Sequence, residues 1–166
     1  TLAKEFPSSN VIAIDYSESV LNIAKENAKI IGVKNIEFIK LDFLKENFNH
    51  LADLVVSNPP YISKKEISSL MIDVKEYEPH NALTDKIDGL EFYRLFSNKF
   101  NNIIKDQGSL IVEVGNDNHP MKVKKLFEEA GHDKVEVIKD YNKDIRVLKV
   151  IKDWKNFFLL SKLWDP

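Results

Sequence analysis

Ala52-Asp53-Leu54-Val55-Val56-Ser57-Asn58-Pro59-Pro60-Tyr61 decides how the rest of the chain is read. Its first half is a short apolar run with β-branched residues, the pattern of a buried strand. The strand stops at Asn58-Pro59-Pro60, because two prolines in a row cannot donate to a ladder and bias the residue before each toward extended backbone. Beyond the strand lies a stiff loop whose carbonyls have no ladder partner. An asparagine amide beside such carbonyls can accept both hydrogens of an NH2 group, and Tyr61 can lie against that group's flat face. The residues thus read as a nitrogen-holding site at the carboxyl end of a strand. The competing reading is a proline-rich turn with a surface tyrosine.

Upstream, Val11-Ile12-Ala13-Ile14 is an apolar run ending in Asp15, as expected of a strand in a parallel α/β sheet. Residues 1–6 read as the last turns of a helix closed by Pro7. Ser17 offers an N-cap with Glu18 in the first turn, Leu21, Ala24, Ala28 and Ile31 recur at helical spacing, and Gly32 supplies the stop. Ile36–Lys40 is the next strand, followed by Leu41-Asp42-Phe43.

Downstream, residues 62–88 are the least regular part, with a short helix expected around Lys65–Met71 and extended chain through Tyr77-Glu78-Pro79-His80. Asp88-Gly89 turns into a helix carrying Tyr93, Phe96, Phe100 and Ile103 on one face. Asp106-Gln107-Gly108 reads as a turn before a strand over Leu110–Val114. Pro120 opens a helix whose buried face is Val123, Leu126, Phe127 and Ala130, stopped by Gly131. Val135–Lys139 and Arg146–Lys152 are joined by too few residues for a crossover helix, so they pair as an antiparallel hairpin. The sum is a three-layer α/β sheet. The tail Asp153–Pro166, with Trp154 and Trp164, reads as a packing segment or the start of something further along.

At 166 residues the length suits one domain, and 43% hydrophobic residues suffice for a core. A net charge of -2 gives no global attraction to nucleic acid or an anionic membrane. Without cysteine there is no disulfide and no thiolate metal site. No run is long enough to span a bilayer and no secretory leader is seen, so the cytoplasm is the default location. His50, His80, His119 and His132 lack the spacing of metal ligands.

In open α/β sheets ligands sit beyond the carboxyl ends of strands. Asp15 ends one strand where a carboxylate can accept both hydroxyls of a ribose, or merely cap the next helix. Asp42 could accept from an exocyclic amine, and Phe43 could stack on a base or pack in the core. Consecutive strands are expected to bring Asp15, Asp42-Phe43 and Asn58 to one edge of the sheet.

Asn58-Pro59-Pro60-Tyr61 resembles the loop of class I S-adenosylmethionine-dependent methyltransferases that modify planar amino or amide nitrogens. Tyr77-Glu78-Pro79, Ala82-Leu83, Asp88-Gly89-Leu90 and Tyr93-Arg94 are similar to the run in the HemK/PrmC-type enzymes, which methylate a glutamine of peptide chain release factors. The resemblance covers residues 1–152, taken as one methyltransferase domain, with 153–166 as a tail. It implies a Rossmann-like, mostly parallel sheet with a C-terminal antiparallel hairpin, and S-adenosylmethionine as cofactor. It further implies that Asp15 holds the cofactor's ribose, that Phe43 contacts its adenine with Asp42 beside it, and that Asn58 touches cofactor and substrate. Asn58, Pro59, Pro60 and Tyr61 would cradle the glutamine amide, with Asn58, Pro59 and Tyr61 at the chemistry.

The family's glycine-rich loop and first strand are not seen in the sequence. That strand is expected between Val11–Asp15 and Leu54–Ser57, which predicts an excerpt of a longer protein, with weak or absent cofactor binding and no activity on its own. The implied partner is a class 1 release factor, without membrane or direct nucleic-acid binding. The alternatives are an adenine or cytosine N-methyltransferase of nucleic acid and a non-catalytic binding module with the same fold.

Overall fold

The computed structural model describes residues 1–69 and 83–153. Two compact units are formed, Thr1–Phe48 and the residues from Asn49 onward.

The first unit holds α1 (Leu2–Glu5), β1 (Val11–Asp15), α2 (Glu18–Ile31) and β2 (Ile36–Lys40). β1 and β2 pair in parallel, with Asp15 opposite Lys40. The expected caps are present: the Ser17 side chain accepts from the Val20 amide, and Gly32 takes φ +79° as its amide reaches the Ala28 and Lys29 carbonyls. Leu21 is buried, but Ile31, the last residue of α2, is 50% exposed.

The second unit holds β3 (Ala52–Ser57), a 3₁₀ turn (Glu66–Ser69), α3 (Glu91–Ile103), β4 (Ile104–Glu113), α4 (His119–Glu129), β5 (Val135–Lys139) and β6 (Ile145–Ile151). Its sheet runs β3-β4-β6-β5. β3 and β4 are parallel, while β6 is antiparallel to both β4 and β5, which realises the expected hairpin. The core lies between this sheet and the inner faces of α3 and α4, where Tyr93, Phe100, Ile103, Val123 and Phe127 meet Leu110, Val112, Leu148 and Val150. Each buried aromatic or aliphatic side chain of this kind stabilises the fold by about 1.5–3 kcal/mol.

The β1–β2 pair and the four-stranded sheet share no ladder among the described residues. Three expectations are corrected. β3 is not buried along its length: Leu54 and Val56, which share one face of the strand, are 45% and 49% exposed, and among the described residues β3 is an edge strand paired only with β4. No turn separates α3 from β4. The strand begins at Ile104 and carries a bulge, in which β3 advances from Ala52 to Leu54 while β4 advances from Ile104 to Ser109. Gln107 at φ +65° absorbs the excess, and its amide bonds to the Lys152 carbonyl. Finally, Ala130 is exposed as the cap residue of α4 instead of lying on its buried face.

The helix expected over Lys65–Met71 is the shorter 3₁₀ turn, with Met71 outside the described residues. Tyr77-Glu78-Pro79, His80, Ala82 and the tail with Trp154 and Trp164 also lie outside them.

Candidate functional site

In the second unit the Asn-Pro-Pro-Tyr loop leaves the carboxyl end of β3. Asn58 is exposed, Pro59 is buried, and Pro60 and Tyr61 are half-buried. The Asn58 amide makes no hydrogen bond among the described residues. The loop is therefore pinned by its apolar ring and presents its polar side chain outward.

The pinning continues past Tyr61. Ile62 bridges Thr84 in parallel, its amide donates to the Leu83 carbonyl at 3.0 Å, and the Lys64 amide donates to the Ile87 carbonyl. Glu66 closes the next turn by accepting from the Ser63 amide at 2.9 Å, a bond that holds its carboxyl below the usual range.

The segment 85–91 forms the floor under Tyr61. Asp85 organises it, accepting from the amides of Ile87 (2.8 Å) and Gly89 (2.9 Å) on one oxygen and of Glu91 (3.0 Å) on the other. Asp88 forms a two-armed ion pair with Arg94, which lowers its carboxyl from the ordinary value. Gly89 sits at φ +78°, and a Cβ there would lie 2.2 Å from the Tyr61 carbonyl oxygen. The Asp-Gly-Leu run is thus a backbone seat for the loop, and only glycine fits its middle.

The first α4 residue completes the arrangement. His119 Nδ1 receives the Gly115 amide at 3.1 Å, and Nε2 stands 3.0 Å from the Gly89 carbonyl. Its ring centroid is 5.1 Å from that of Tyr93 and 6.0 Å from that of Tyr61. Burial pushes its basicity below the ordinary histidine value. Tyr93, fully buried, donates to the Glu113 carbonyl at 2.7 Å, and burial raises its phenol strongly. Asp85, Gly89, Gly115 and His119 are the residues around the loop that sequence reading missed as a group, since the histidine bonds to backbone groups, 4 and 30 residues away, and to no side chain whose type could signal the pairing. The available signal was glycine at 89 and 115.

In the first unit, Asp15 and Asp42-Phe43 do come together at the carboxyl ends of β1 and β2, where the Leu41 amide donates to the Asp15 carbonyl at 3.0 Å. Asp15 Oδ1 accepts from the Ser17 amide at 2.8 Å, leaving Oδ2 without a partner among the described residues. Capping therefore uses one oxygen and leaves the other open. Asp42 is more fully committed: it accepts from the Leu44 amide at 3.2 Å and pairs with Lys45 at 2.7 Å, which lowers its carboxyl. Phe43 is half-buried.

A parallel β1–β2 pair with acidic residues at its carboxyl end, and a mixed sheet whose edge strand runs into Asn-Pro-Pro-Tyr, define a Rossmann-like α/β class. The chain belongs to the methyltransferase domain family, whose profile matches residues 1–158. It is 40% identical over 150 residues to the release factor glutamine methyltransferase of Fusobacterium nucleatum, covering 89% of this chain and 42% of that protein. The enzyme of the same name from Bacillus subtilis is 39% identical over 147 residues, covering 86% of this chain and 50% of the relative. The chain thus spans about half the length of the curated relatives it matches. A methyltransferase from Pyrococcus furiosus shares the fold with a TM-score of 0.60 at 16% identity, over 92% of this chain and 67% of its own.

Proposed function

We propose that these residues carry methyl transfer from S-adenosylmethionine to the side-chain amide nitrogen of the glutamine in the Gly-Gly-Gln motif of a class 1 peptide chain release factor. The observation that supports this most is the contrast within one loop: Pro59 is buried and fixed, while the adjacent Asn58 amide is exposed and uncommitted among the described residues. An amide nitrogen is a poor nucleophile because its lone pair is delocalised into the carbonyl. Asn58 Oδ1 and the Pro59 carbonyl are assigned to accept its two N–H groups, which turns the remaining lobe toward the electrophile. Pro60 and Tyr61 flank the amide plane. Positioning of this sort is worth several kcal/mol, up to roughly 7–11 in the best intramolecular cases. The two oxygens also stabilise positive charge developing on nitrogen. No dedicated base is needed, since the methylated nitrogen becomes acidic and loses its proton to water.

The open Oδ2 of Asp15 fits a ribose hydroxyl, and Phe43 offers a ring to an adenine. Asp42, engaged with Lys45, fits a positioning role beside Phe43 better than direct capture of an amine. When bound, S-adenosylmethionine supplies an electrophilic methyl on a sulfonium. A cytoplasmic setting follows from the proposed partner. Among the described residues, no helix is long and apolar enough to cross a membrane.

The test incubates the intact protein with labelled methyl donor and either a Gly-Gly-Gln release factor or DNA. Label in the release factor, lost on its Gln→Ala substitution, is the expected result. Label entering only nucleic acid would replace this reading by base N-methylation, for which the same loop suffices.

A further inference from the structure

The two bonds of His119 fix its state by elimination. The Gly115 amide can only donate, so Nδ1 must accept. The Gly89 carbonyl can only accept, so Nε2 must carry the hydrogen. The ring is therefore neutral in one defined tautomer, and both nitrogens are used. The same ring packs between Tyr61 and Tyr93. Gly115 lies directly beneath Tyr61, since a Cβ there would stand 3.0 Å from Tyr61 Cδ2 and 3.4 Å from His119 Cγ. One imidazole thus joins the three pieces that hold Tyr61: the 85–91 turn, the end of β4, and the start of α4.

We propose that His119 is the positioning residue of the Asn-Pro-Pro-Tyr loop, and that its protonation unlocks Tyr61 and so switches amide positioning off in acid. The inference rests on the acceptor-loop reading above only for its consequence in turnover; the clamp itself is a matter of backbone bonds and ring packing. Imidazolium would set an N–H against the Gly115 N–H, two donors facing each other. The Gly115 bond would break and the ring would withdraw from between Tyr61 and Tyr93.

The charged and titratable groups around it, among the described residues, are few. Glu66 on the 3₁₀ turn and Asp85 in the 85–91 turn favour the cation, and Lys122 on α4 itself opposes it. Tyr61 and Tyr93 present their rings, and burial raises the Tyr93 phenol further from this range. Burial outweighs the two carboxylates, so the neutral ring persists to below the ordinary histidine value.

The experiment follows the protein by NMR and by turnover across pH 4.5–8. Ring nitrogen shifts of His119 are expected to show unprotonated Nδ1 and protonated Nε2 at neutral pH. Tyr61 ring signals are expected to move with the same midpoint as His119. In turnover, kcat falls along an acid limb with that midpoint while KM for the methyl donor stays flat. His119→Asn keeps an oxygen acceptor for Gly115 but cannot titrate, and it should lack that limb, with kcat lower by about 10–100-fold from loosened geometry. Tyr61 signals that ignore the His119 titration, or an acid limb retained in His119→Asn, would overturn the proposal. Coupled His119 and Tyr61 titrations in a protein with no methyl transfer at any pH would sink the acceptor reading and leave the clamp standing.

Discussion

Two glycines with nearly the same backbone separate the cost of conformation from the cost of contact. Gly89 has φ +78° and Gly131 has φ +85°, both in the left-handed region and both in the second unit. A Cβ on Gly131 meets nothing within 4 Å, whereas one on Gly89 would stand 2.2 Å from the Tyr61 carbonyl oxygen and 2.9 Å from its carbon. Gly131→Ala therefore costs the left-handed penalty alone, about 1–2 kcal/mol. Gly89→Ala adds displacement of main chain, which in a packed site costs about 1–3 kcal/mol. The entropy that alanine removes from the unfolded chain is the same in both and cancels.

The difference is measured by urea denaturation followed by far-ultraviolet circular dichroism, with the slope required to match wild type. Gly89→Ala should be the less stable by about 1–3 kcal/mol. Its turnover should also fall, because the atom in the way belongs to Tyr61. Equal stability of the two variants, within about 0.5 kcal/mol, would refute the seat that the 85–91 turn is argued to provide.

Other substitutions divide along the same lines. Asn58→Ala should abolish methyl transfer while shifting the unfolding midpoint little, since the residue is exposed and makes no bond among the described residues; a large loss of stability would show that it serves the fold. Tyr93→Phe removes a buried donor to the Glu113 carbonyl and should cost about 1–3 kcal/mol in denaturation. Asp88→Asn should cost less than about 1 kcal/mol, because both partners of its ion pair are 44% exposed. Because Arg94 lowers the Asp88 carboxyl below its unfolded value of 3.8, the pair's small contribution is present above that pH and lost as pH falls through the folded value; Asp88→Asn should flatten that part of the stability profile. For His119 the folded value is also depressed, here from 6.5 and in a base, so the unfolded chain binds the proton first. Stability should fall as pH drops below about 6.5, and His119→Asn should remove that slope.

The helices and most strands were legible because their signals are local. Ser17 and Gly32 bracket α2 by hydrogen bonds within a turn or so of themselves, and Tyr93, Phe96, Phe100 and Ile103 mark one face of α3 by spacing alone. The start of β4 was not legible. Asp106-Gln107-Gly108 has the composition of a turn, and only the Gln107 and Gly108 bonds to Lys152 in β6's continuation make it a bulge within a strand. The Asn-Pro-Pro-Tyr loop was visible because its stiffness comes from its own prolines. Its support was not, because Asp85, Gly89, Gly115 and His119 act through main-chain groups, which leave no pairing of side-chain types to find.

The division of labour in the loop follows from that difference. On the proposed reading Asn58 meets an uncharged amide, and such a polar group gains most when it is held still before the guest arrives, since each bond then costs little reorganisation. Holding it still from above would block the guest, so the restraint has to come from beneath and through the backbone. Pro59 supplies the buried anchor, Gly89 the close approach and His119 the tie between segments 30 residues apart. A histidine suits the tie because one neutral ring both accepts and donates across a fixed span, which neither a carboxylate nor an ammonium does. The same choice makes the support sensitive to acid, so the residue that steadies the loop at neutral pH is also the one through which the loop can be released.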